Sequence, residues 1–473
     1  MPKQLYAQLV EDISKSIDDD VLKAGDRLPS IREASRARTL SITTVRRAYQ
    51  VLESQGIVQG KPQSGYFVTE ARSRGRRPEP RPAAAGPDSQ DASQYVLETL
   101  RSIRARRAVP LASACPDPAL FPWRKMQRRT REAARHLRDA DGLEDIPPGH
   151  PELIRQIALR HLRHGLDVDP QEIVVTVGAT EGLNLCLRAV ARPGDTIAVE
   201  SPGYYVMRKV AERLGMRVVE LQTHPREGID IGSLADLLSR QRIDACITMP
   251  NIQNPLGYVM PDERKQALVE LAERRRMPLI ENGVCNELYY GAGPPRTLKS
   301  FDTTGNVLHC GSFSKSLGIG IGVGWILTGR FRPQIEELKF LNTFSTSAVA
   351  QFAVAAFLAH DGWDHHLRGV RQTLRQRADI MRGMVQRFFP EGTGVSDPQG
   401  GYLLWLELPR GVDAPALAQE AMAQGISVTP GTLFGNAELY RHCVRINYSF
   451  AWTSEIEGAL KRLAAIAART PVR

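Results

Sequence analysis

The sequence predicts a multidomain chain, with an N-terminal winged helix-turn-helix, a basic linker and a large α/β domain. Three observations predict it. Residues 1–70 carry three helical patterns and then two short strand patterns. Residues 71–94 are rich in Pro, Ala, Ser and Arg without periodicity. From residue 95 to 473, helical stretches alternate with short apolar strands. A chain of 473 residues is long enough for more than one core.

In the first unit, Leu5, Leu9, Ile13 and Ile17 recur every four residues, which is one face of a helix. The turn Lys23-Ala24-Gly25-Asp26 ends it. Ser30 is placed to cap a short helix through Arg38, and Ser41 a third helix from Ile42 to Gln55, closed by Gly56. Ile57-Val58 and Tyr66-Phe67-Val68 read as strands around the turn Pro62-Gln63-Ser64-Gly65. Residues 71–94 cannot bury enough apolar surface to offset chain entropy and read as a flexible linker, whose Arg cluster either touches phosphates or only keeps it solvated and extended. In the large domain, Ile173-Val174-Val175-Thr176, Thr196-Ile197-Ala198-Val199, Ala245-Cys246-Ile247-Thr248 and Pro278-Leu279-Ile280 read as strands of a mainly parallel sheet.

Composition narrows the class. Hydrophobic residues at 42% and charged residues at 24% exclude a disordered or collagen-like chain. Apolar runs break before about 18 residues, so no membrane span is expected. Met1-Pro2-Lys3-Gln4-Leu5 enters an amphipathic pattern without a signal-peptide apolar region. Six cysteines without CxxC spacing read as free thiols, and the chain is expected to be cytoplasmic. His161 and His164 read as surface histidines without a third ligand, so no metal is expected. The net charge of +10 suggests a polyanionic partner. Residues 1–70 hold ten basic and nine acidic side chains, whereas residues 71–82 hold five Arg against one Glu.

A recognition helix needs side chains near its start that reach base edges, and flanking donors that fix it on phosphates. In Ser41-Ile42-Thr43-Thr44-Val45-Arg46-Arg47-Ala48-Tyr49, Val45, Ala48 and Leu52 face inward, leaving Thr43, Thr44, Arg46 and Arg47 outward. Gly25-Asp26-Arg27-Leu28-Pro29-Ser30-Ile31-Arg32 adds two Arg at the approach to the preceding helix. These segments resemble the GntR family of regulators over residues 1–70. The resemblance implies a double-stranded DNA operator as partner, contacted by Arg27, Arg32, Thr43, Thr44, Arg46 and wing Gly65. Ile42 departs from the pattern, since many relatives place a polar residue or Arg there.

Ser312-Phe313-Ser314-Lys315, followed by a glycine-rich run to Gly324, sets a lysine in a turn of hydroxyls and backbone N–H groups. Such a lysine can form an imine with an aldehyde while the turn holds a phosphate. Val177-Gly178-Ala179-Thr180 lies between a strand and a helix, where a helix N-terminus binds phosphate. Glu200-Ser201-Pro202-Gly203-Tyr204 offers an aromatic that stacks on a ring, and Asn251-Ile252-Gln253-Asn254-Pro255 an amide in a tight turn. Val444-Arg445-Ile446 places an Arg on a late strand, suited to bidentate capture of a carboxylate.

Together these segments resemble fold-type I aminotransferases, which bind pyridoxal 5'-phosphate (PLP), over residues 110–465. The resemblance implies that Lys315 forms the imine, Asn254 meets the cofactor's phenolic oxygen and Tyr204 stacks on its ring. Gly178, Ala179, Thr180, Ser312 and Ser314 would hold the phosphate, and Arg445 the carboxylate of an amino acid. A GntR-like unit joined by a linker to such a domain resembles the MocR/GabR-type regulators. In that family the large domain forms a head-to-tail homodimer and senses PLP or a small-molecule effector.

Three positions depart from a working transaminase. The aspartate that keeps the pyridine nitrogen protonated falls on Asn282, so the electron sink is weakened. The tyrosine beside the phenolic oxygen falls on Cys285, and the phosphate-binding Arg on Gly322. A tyrosine reaching across the dimer would fall near Glu144. Losing the Arg and Tyr contacts costs roughly 3–4 kcal/mol, a few hundredfold in affinity. The expectation is a DNA-binding regulator whose large domain senses an effector with little turnover. The alternative is a PLP-dependent aminotransferase with a vestigial DNA-binding domain. The basic run from Arg124 to Arg138 reads as a solvated helix face.

Overall fold

The computed structural model describes residues 5–18, 21–23, 25–54, 57–61, 64–69, 78, 92–136 and 146–469. Almost all of the expected linker lies outside the described residues, as do Ala24, Gly56, Pro62, Gln63, Arg138 and Glu144.

The N-terminal unit consists of α1 (Leu5–Asp18), α2 (Ile31–Ala37), α3 (Ile42–Ser54) and the antiparallel hairpin β1 (Val58–Lys61) and β2 (Gly65–Val68). Its local signals act as expected. Ser30 Oγ accepts from the Glu33 N–H, and the Glu33 carboxylate accepts from the Ser30 N–H, a reciprocal cap. Ser41 Oγ accepts from the Thr44 N–H at 3.1 Å at the start of α3. Leu9, Ile13, Val45, Ala48, Tyr49, Leu52, Val58 and Val68 make one small core. The Tyr49 hydroxyl donates to the Pro29 carbonyl at 2.8 Å, tying α3 to the approach of α2. Leu28 N–H donates to Tyr66 and Val68 N–H to Asp26, each at 2.8 Å, so the segment carrying Arg27 runs along the wing.

The large domain opens with α4 (Ala92–Arg104), which starts three positions before the expected boundary, then α5 (Trp123–His136) and α6 (Pro151–Arg163). Its central sheet contains β3 (Ile173–Thr176), β4 (Thr196–Ser201), β5 (Arg217–His224), β6 (Gly228–Ile229), β7 (Ala245–Thr248), β8 (Leu279–Asn282), β9 (Val307–Ser312) and β10 (Gly324–Leu327). The spatial order is β3-β10-β9-β8-β7-β4-β5-β6. β4, β5, β7, β8 and β9 run parallel, whereas β10 is antiparallel to both β3 and β9. Every residue of β3, β4, β7, β8, β9 and β10 is buried, which is why these strands read as apolar runs rather than as alternation. Helices α7 (Ala179–Val190), α8 (Tyr205–Arg213), α9 (Ile231–Arg240) and α10 (Asp262–Arg274) connect the strands.

Beyond the sheet come α11 (Arg332–Asn342), α12 (Ala348–His360) and the 26-residue α13 (Trp363–Phe388). A second, antiparallel sheet is made of β11 (Gly394–Val395), β12 (Leu403–Glu407), β13 (Thr429–Pro430) and β14 (Cys443–Asn447) in the order β11-β12-β14-β13. α14 (Ala414–Ala423) and α15 (Ser454–Arg469) complete its apolar core. The ends of β3, β4, β7, β8 and β9 lead into the segments carrying Gly178, Tyr204, Asn254, Asn282 and Ser312. Ligands of open α/β sheets bind at such strand ends. No helix among the described residues is long and apolar enough to cross a membrane.

Two expectations about surface residues are corrected. His161 is buried, 7% exposed, and its Nε2 accepts from the Trp325 indole at 3.2 Å, because α6 lays this face against β10. The basic run on α5 is not a free solvated face throughout. Lys125 donates to the Asp361 carbonyl at 2.7 Å, and Arg128 and Arg129 bind the Asp361 carboxylate at 2.5 and 2.7 Å. Neither contact is visible in the local pattern, because Asp361 arrives from the far end of α12.

Candidate functional site

In the N-terminal unit, burial of Val45, Ala48 and Leu52 leaves Thr43, Arg46 and Arg47 exposed on α3, with Thr44 half-exposed. Ser41 Oγ lies 2.8 Å from the Thr43 hydroxyl and 2.7 Å from that of Thr44, so both hydroxyls gather at the helix start. Arg27 and Arg32 are exposed, and with Arg46 they form no ion pair among the described residues. Gly65 has φ +98°, a backbone that only glycine adopts without strain. A side chain there would press on Arg27 Nε at 3.2 Å, so the wing and Arg27 form one surface. Arg47 differs from its neighbours. Its guanidinium lies 4.7 Å from the Tyr6 ring of α1, which holds it against the unit's own core.

In the large domain, one cavity of about 220 Å³ gathers residues spread over most of the sequence. Gly178, Ala179, Thr180, Tyr204, Asn254, Asn282, Ser312, Ser314 and Lys315 all line it. Gly178, at φ +97°, is the N-cap of α7, and with Ala179 and Thr180 at the start of that helix it lines the cavity. Ser312 Oγ accepts from the Ser314 N–H at 3.1 Å, which closes the turn before Lys315. Lys315 Nζ donates to the Ala114 carbonyl at 2.9 Å and lies 3.8 Å from Cys115 Sγ. Burial pushes the Tyr204 hydroxyl up to about 12, so it acts as a neutral aromatic.

Arg445 reaches this cavity through Asn254 rather than lining it. Its Nη1 donates to Asn254 Oδ1 at 3.2 Å, and its Nη2 to the Ala112 carbonyl at 2.8 Å and Thr429 Oγ1 at 3.1 Å. It is 2% exposed, and its Nε has no hydrogen-bond partner among the described residues. Among the described residues no carboxylate pairs with it, and burial lowers its proton affinity. A buried guanidinium with a spare N–H and only neutral acceptors is matched to an incoming anion.

The departing positions also line the cavity. Asn282 is buried, and its Oδ1 accepts from the Val284 N–H at 3.4 Å. Cys285 is buried, and desolvation pushes its thiol up to about 11 despite Lys315 nearby. Gly322 has φ +63°, so the backbone itself favours glycine there. Glu281 and Glu287 are each engaged by another side chain. Glu287 binds Arg160 at 2.5 Å, and Glu281 lies 3.1 Å from His309.

Sequence reasoning missed Ala114, Val206 and Tyr402, which also line the cavity. The Tyr402 hydroxyl donates to the Ala114 carbonyl at 2.7 Å, so Tyr402 and Lys315 share one acceptor. The glycine pair Gly400-Gly401 before Tyr402 was the available signal. Gly401 has φ +79°, and side chains on either glycine would collide with Ile252 at 2.8 Å.

The residues present fit PLP. The start of α7, two serines, the Lys315 amine, the Asn254 amide and the Tyr204 ring line one cavity. When bound, PLP supplies an aldehyde that captures amines and a ring that withdraws electrons.

Known proteins bear on both regions. Residues 120–463 match the model of aminotransferase class I and II, and residues 5–68 that of bacterial regulatory proteins of the gntR family. The HTH-type transcriptional regulator YdcR of Escherichia coli (strain K12) is 36% identical, over 97% of this chain and 98% of its own. A second from the same organism, YjiR, is 33% identical, over 97% of each chain. The crystal structure of Pyrococcus horikoshii kynurenine aminotransferase, in complex with PMP, superposes with a TM-score of 0.72 at 25% identity. That match covers 80% of this chain and 96% of that one. With a gntR-type unit ahead of an aminotransferase domain along its whole length, the chain belongs to the MocR/GabR-type family of HTH-type transcriptional regulators.

Proposed function

We propose that the large domain of this DNA-binding regulator is an effector sensor that holds PLP and reads a small carboxylate or amino acid. The observation that carries this reading is the shared cavity. It holds every residue expected to bind the cofactor together with the three positions that depart from a transaminase. Lys315 would bind the cofactor covalently, and Asn254 Nδ2 remains to donate to its phenolic oxygen because Oδ1 accepts from Arg445. Tyr204 would lie against the ring, and Gly178, Ala179, Thr180, Ser312 and Ser314 would hold the phosphate. Arg445 would take the effector's carboxylate. Asn282 can hydrogen-bond the ring nitrogen but cannot stabilise its protonated form, so binding is retained while turnover is slow.

At the other end of the chain, Arg27, Arg32, Thr43, Thr44, Arg46 and Gly65 would contact a double-stranded operator. Two winged-helix units in a head-to-tail homodimer would read paired half-sites, and effector binding would change their match to the half-site spacing. Such a regulator acts in the cytoplasm.

The test is a visible absorption titration of the purified chain with PLP, with Lys315→Ala alongside. A protein-bound chromophore in the parent that the variant lacks supports the reading. Its absence at high PLP overturns the cofactor part. DNA affinity at fixed salt, with and without amino acids, tests the sensor. An affinity that no amino acid changes overturns it.

A further inference from the structure

The charge of this chain is not where a DNA-binding protein needs it. The winged-helix unit, residues 1–70, carries ten basic against nine acidic side chains, so nearly all of the net +10 lies elsewhere. Phosphate contacts supply most of the affinity for DNA. Arg27, Arg32 and Arg46 of this unit are exposed, and a unit this close to neutral leaves further phosphate contacts to another surface.

A groove of about 560 Å³ runs between α6, the segment 289–294 and α13, lined by Arg160, Arg163, His164, Arg368, Arg371 and Arg375. The acidic residue among its lining groups is Asp364. Asp364 is occupied by Arg160 at 2.5 Å and Arg163 at 3.6 Å, and Arg160 also binds Glu287 at 2.5 Å. Arg368, Arg371 and Arg375 form no ion pair among the described residues. Asp379, one turn beyond Arg375, also faces Arg382. The Arg371 guanidinium lies 4.0 Å from the Tyr289 ring, and its Nε donates to the Leu367 carbonyl at 3.2 Å. Stacking fixes that plane and leaves the outer N–H groups free for an oxyanion.

We propose that this groove is a second DNA-contact surface, gripping the phosphate backbone of duplex that flanks the site held by the winged-helix unit. The proposal rests on the regulator reading. Spacing favours a polymer over a single phosphate. From Arg368 to Arg375 is seven residues, about 10.5 Å of helix at about 1.5 Å per residue. One DNA strand places a phosphate about every 3.4 Å of duplex axis, so three arginines cover about three phosphates. On α5, by contrast, Lys125, Arg128 and Arg129 converge on Asp361. The 23 steps from Thr69 to Ala92 can span up to about 80 Å, enough for both surfaces to meet one duplex.

The experiment is a salt series of affinity for a long random-sequence duplex, using the full chain and Arg368→Ala/Arg371→Ala/Arg375→Ala. The slope of log affinity against log salt is expected to fall by about 0.9 per lost phosphate contact, about 2.7 per protomer. If the triple variant melts early, Arg368→Gln/Arg375→Gln keeps the Arg371 stack and carries the same test, with an expected loss of about 1.8. An unchanged slope in a folded variant overturns the proposal. So does a variant that loses affinity for inorganic phosphate but not for DNA. Arg32→Ala/Arg46→Ala in the same assay separates the two readings. Loss there with an intact groove slope overturns the groove and keeps the regulator. Loss only in the groove variants supports the groove and leaves Arg32 and Arg46 as base-reading rather than phosphate contacts.

Discussion

Arg445 donates through Nη1 to the side-chain oxygen of Asn254 at 3.2 Å, across 191 positions of sequence. The contact engages the oxygen of the Asn254 amide, and it ties the proposed carboxylate reader to the proposed cofactor partner. An anion arriving at Arg445 acts on that amide as well.

The first prediction concerns that arginine. Charge-assisted hydrogen bonds contribute about 1.5–3 kcal/mol, so Arg445→Leu is expected to weaken amino-acid affinity about 10- to 150-fold. Calorimetric titration of a panel of amino acids beside their decarboxylated amines checks it. The amines, which lack the carboxylate, should bind parent and variant alike.

Restoring the family's phosphate-binding arginine should gain little. Gly322→Arg has room, because a side chain there first meets Val177 at 3.8 Å. The left-handed backbone costs about 1–2 kcal/mol, against about 1.5–3 kcal/mol from the new phosphate contact. PLP affinity is expected to rise less than about thirtyfold. A hundredfold gain in an equilibrium dialysis measurement would show that the backbone relaxes.

On α3, Arg46 faces solvent at the start of the helix while Arg47 rests on Tyr6. Arg46→Ala is therefore expected to cost about 1–3 kcal/mol of operator affinity if it reads a base, or about 0.9 of salt slope if it meets a phosphate. Arg47→Ala should act on thermal stability first. Fluorescence anisotropy with the operator, set beside melting curves, distinguishes the two arginines.

Asp361 supplies a pH prediction. Burial alone would raise its carboxyl, but the Arg129 guanidinium, with Arg128 and Lys125, holds it below the ordinary aspartate range. A carboxylate depressed in the folded state stabilises above its unfolded pKa, and that stability is lost as pH falls through the folded value. Asp361→Asn should thus cost about 2 kcal/mol at neutral pH. The gap should close below the ordinary aspartate value of about 4. Denaturant melts across that range check it, and a gap that persists at low pH would place the carboxylate's contribution elsewhere.

The N-terminal unit was legible residue by residue because its signals are local. The cap at Ser30, the hydroxyl at Ser41 and the inward row Val45, Ala48 and Leu52 each act within one or two helical turns. The cavity residues were legible for another reason. Each lies where an apolar strand stops and a glycine, proline or hydroxyl begins, and parallel strands bring all such ends to one edge of the sheet. Where a contact joins elements with no shared period, nothing in the sequence marked it. Tyr402 meets Ala114 across 288 positions, and Asp361 gathers three cations from α5 across more than 200.

By itself, then, the sequence determined which elements form, which family motifs they carry and which residue types stand at the cavity. Periodicity, capping and strand-end chemistry are short-range properties of the chain. Tertiary packing decided which charges are spent and which are free. It buried Arg445 among neutral acceptors, drew three cations of α5 onto Asp361 and left Arg368, Arg371 and Arg375 of α13 without an ion pair among the described residues. The physical reason is that a charge's role depends on its distance to other charges and on the water between them. Both are set only when distant segments pack.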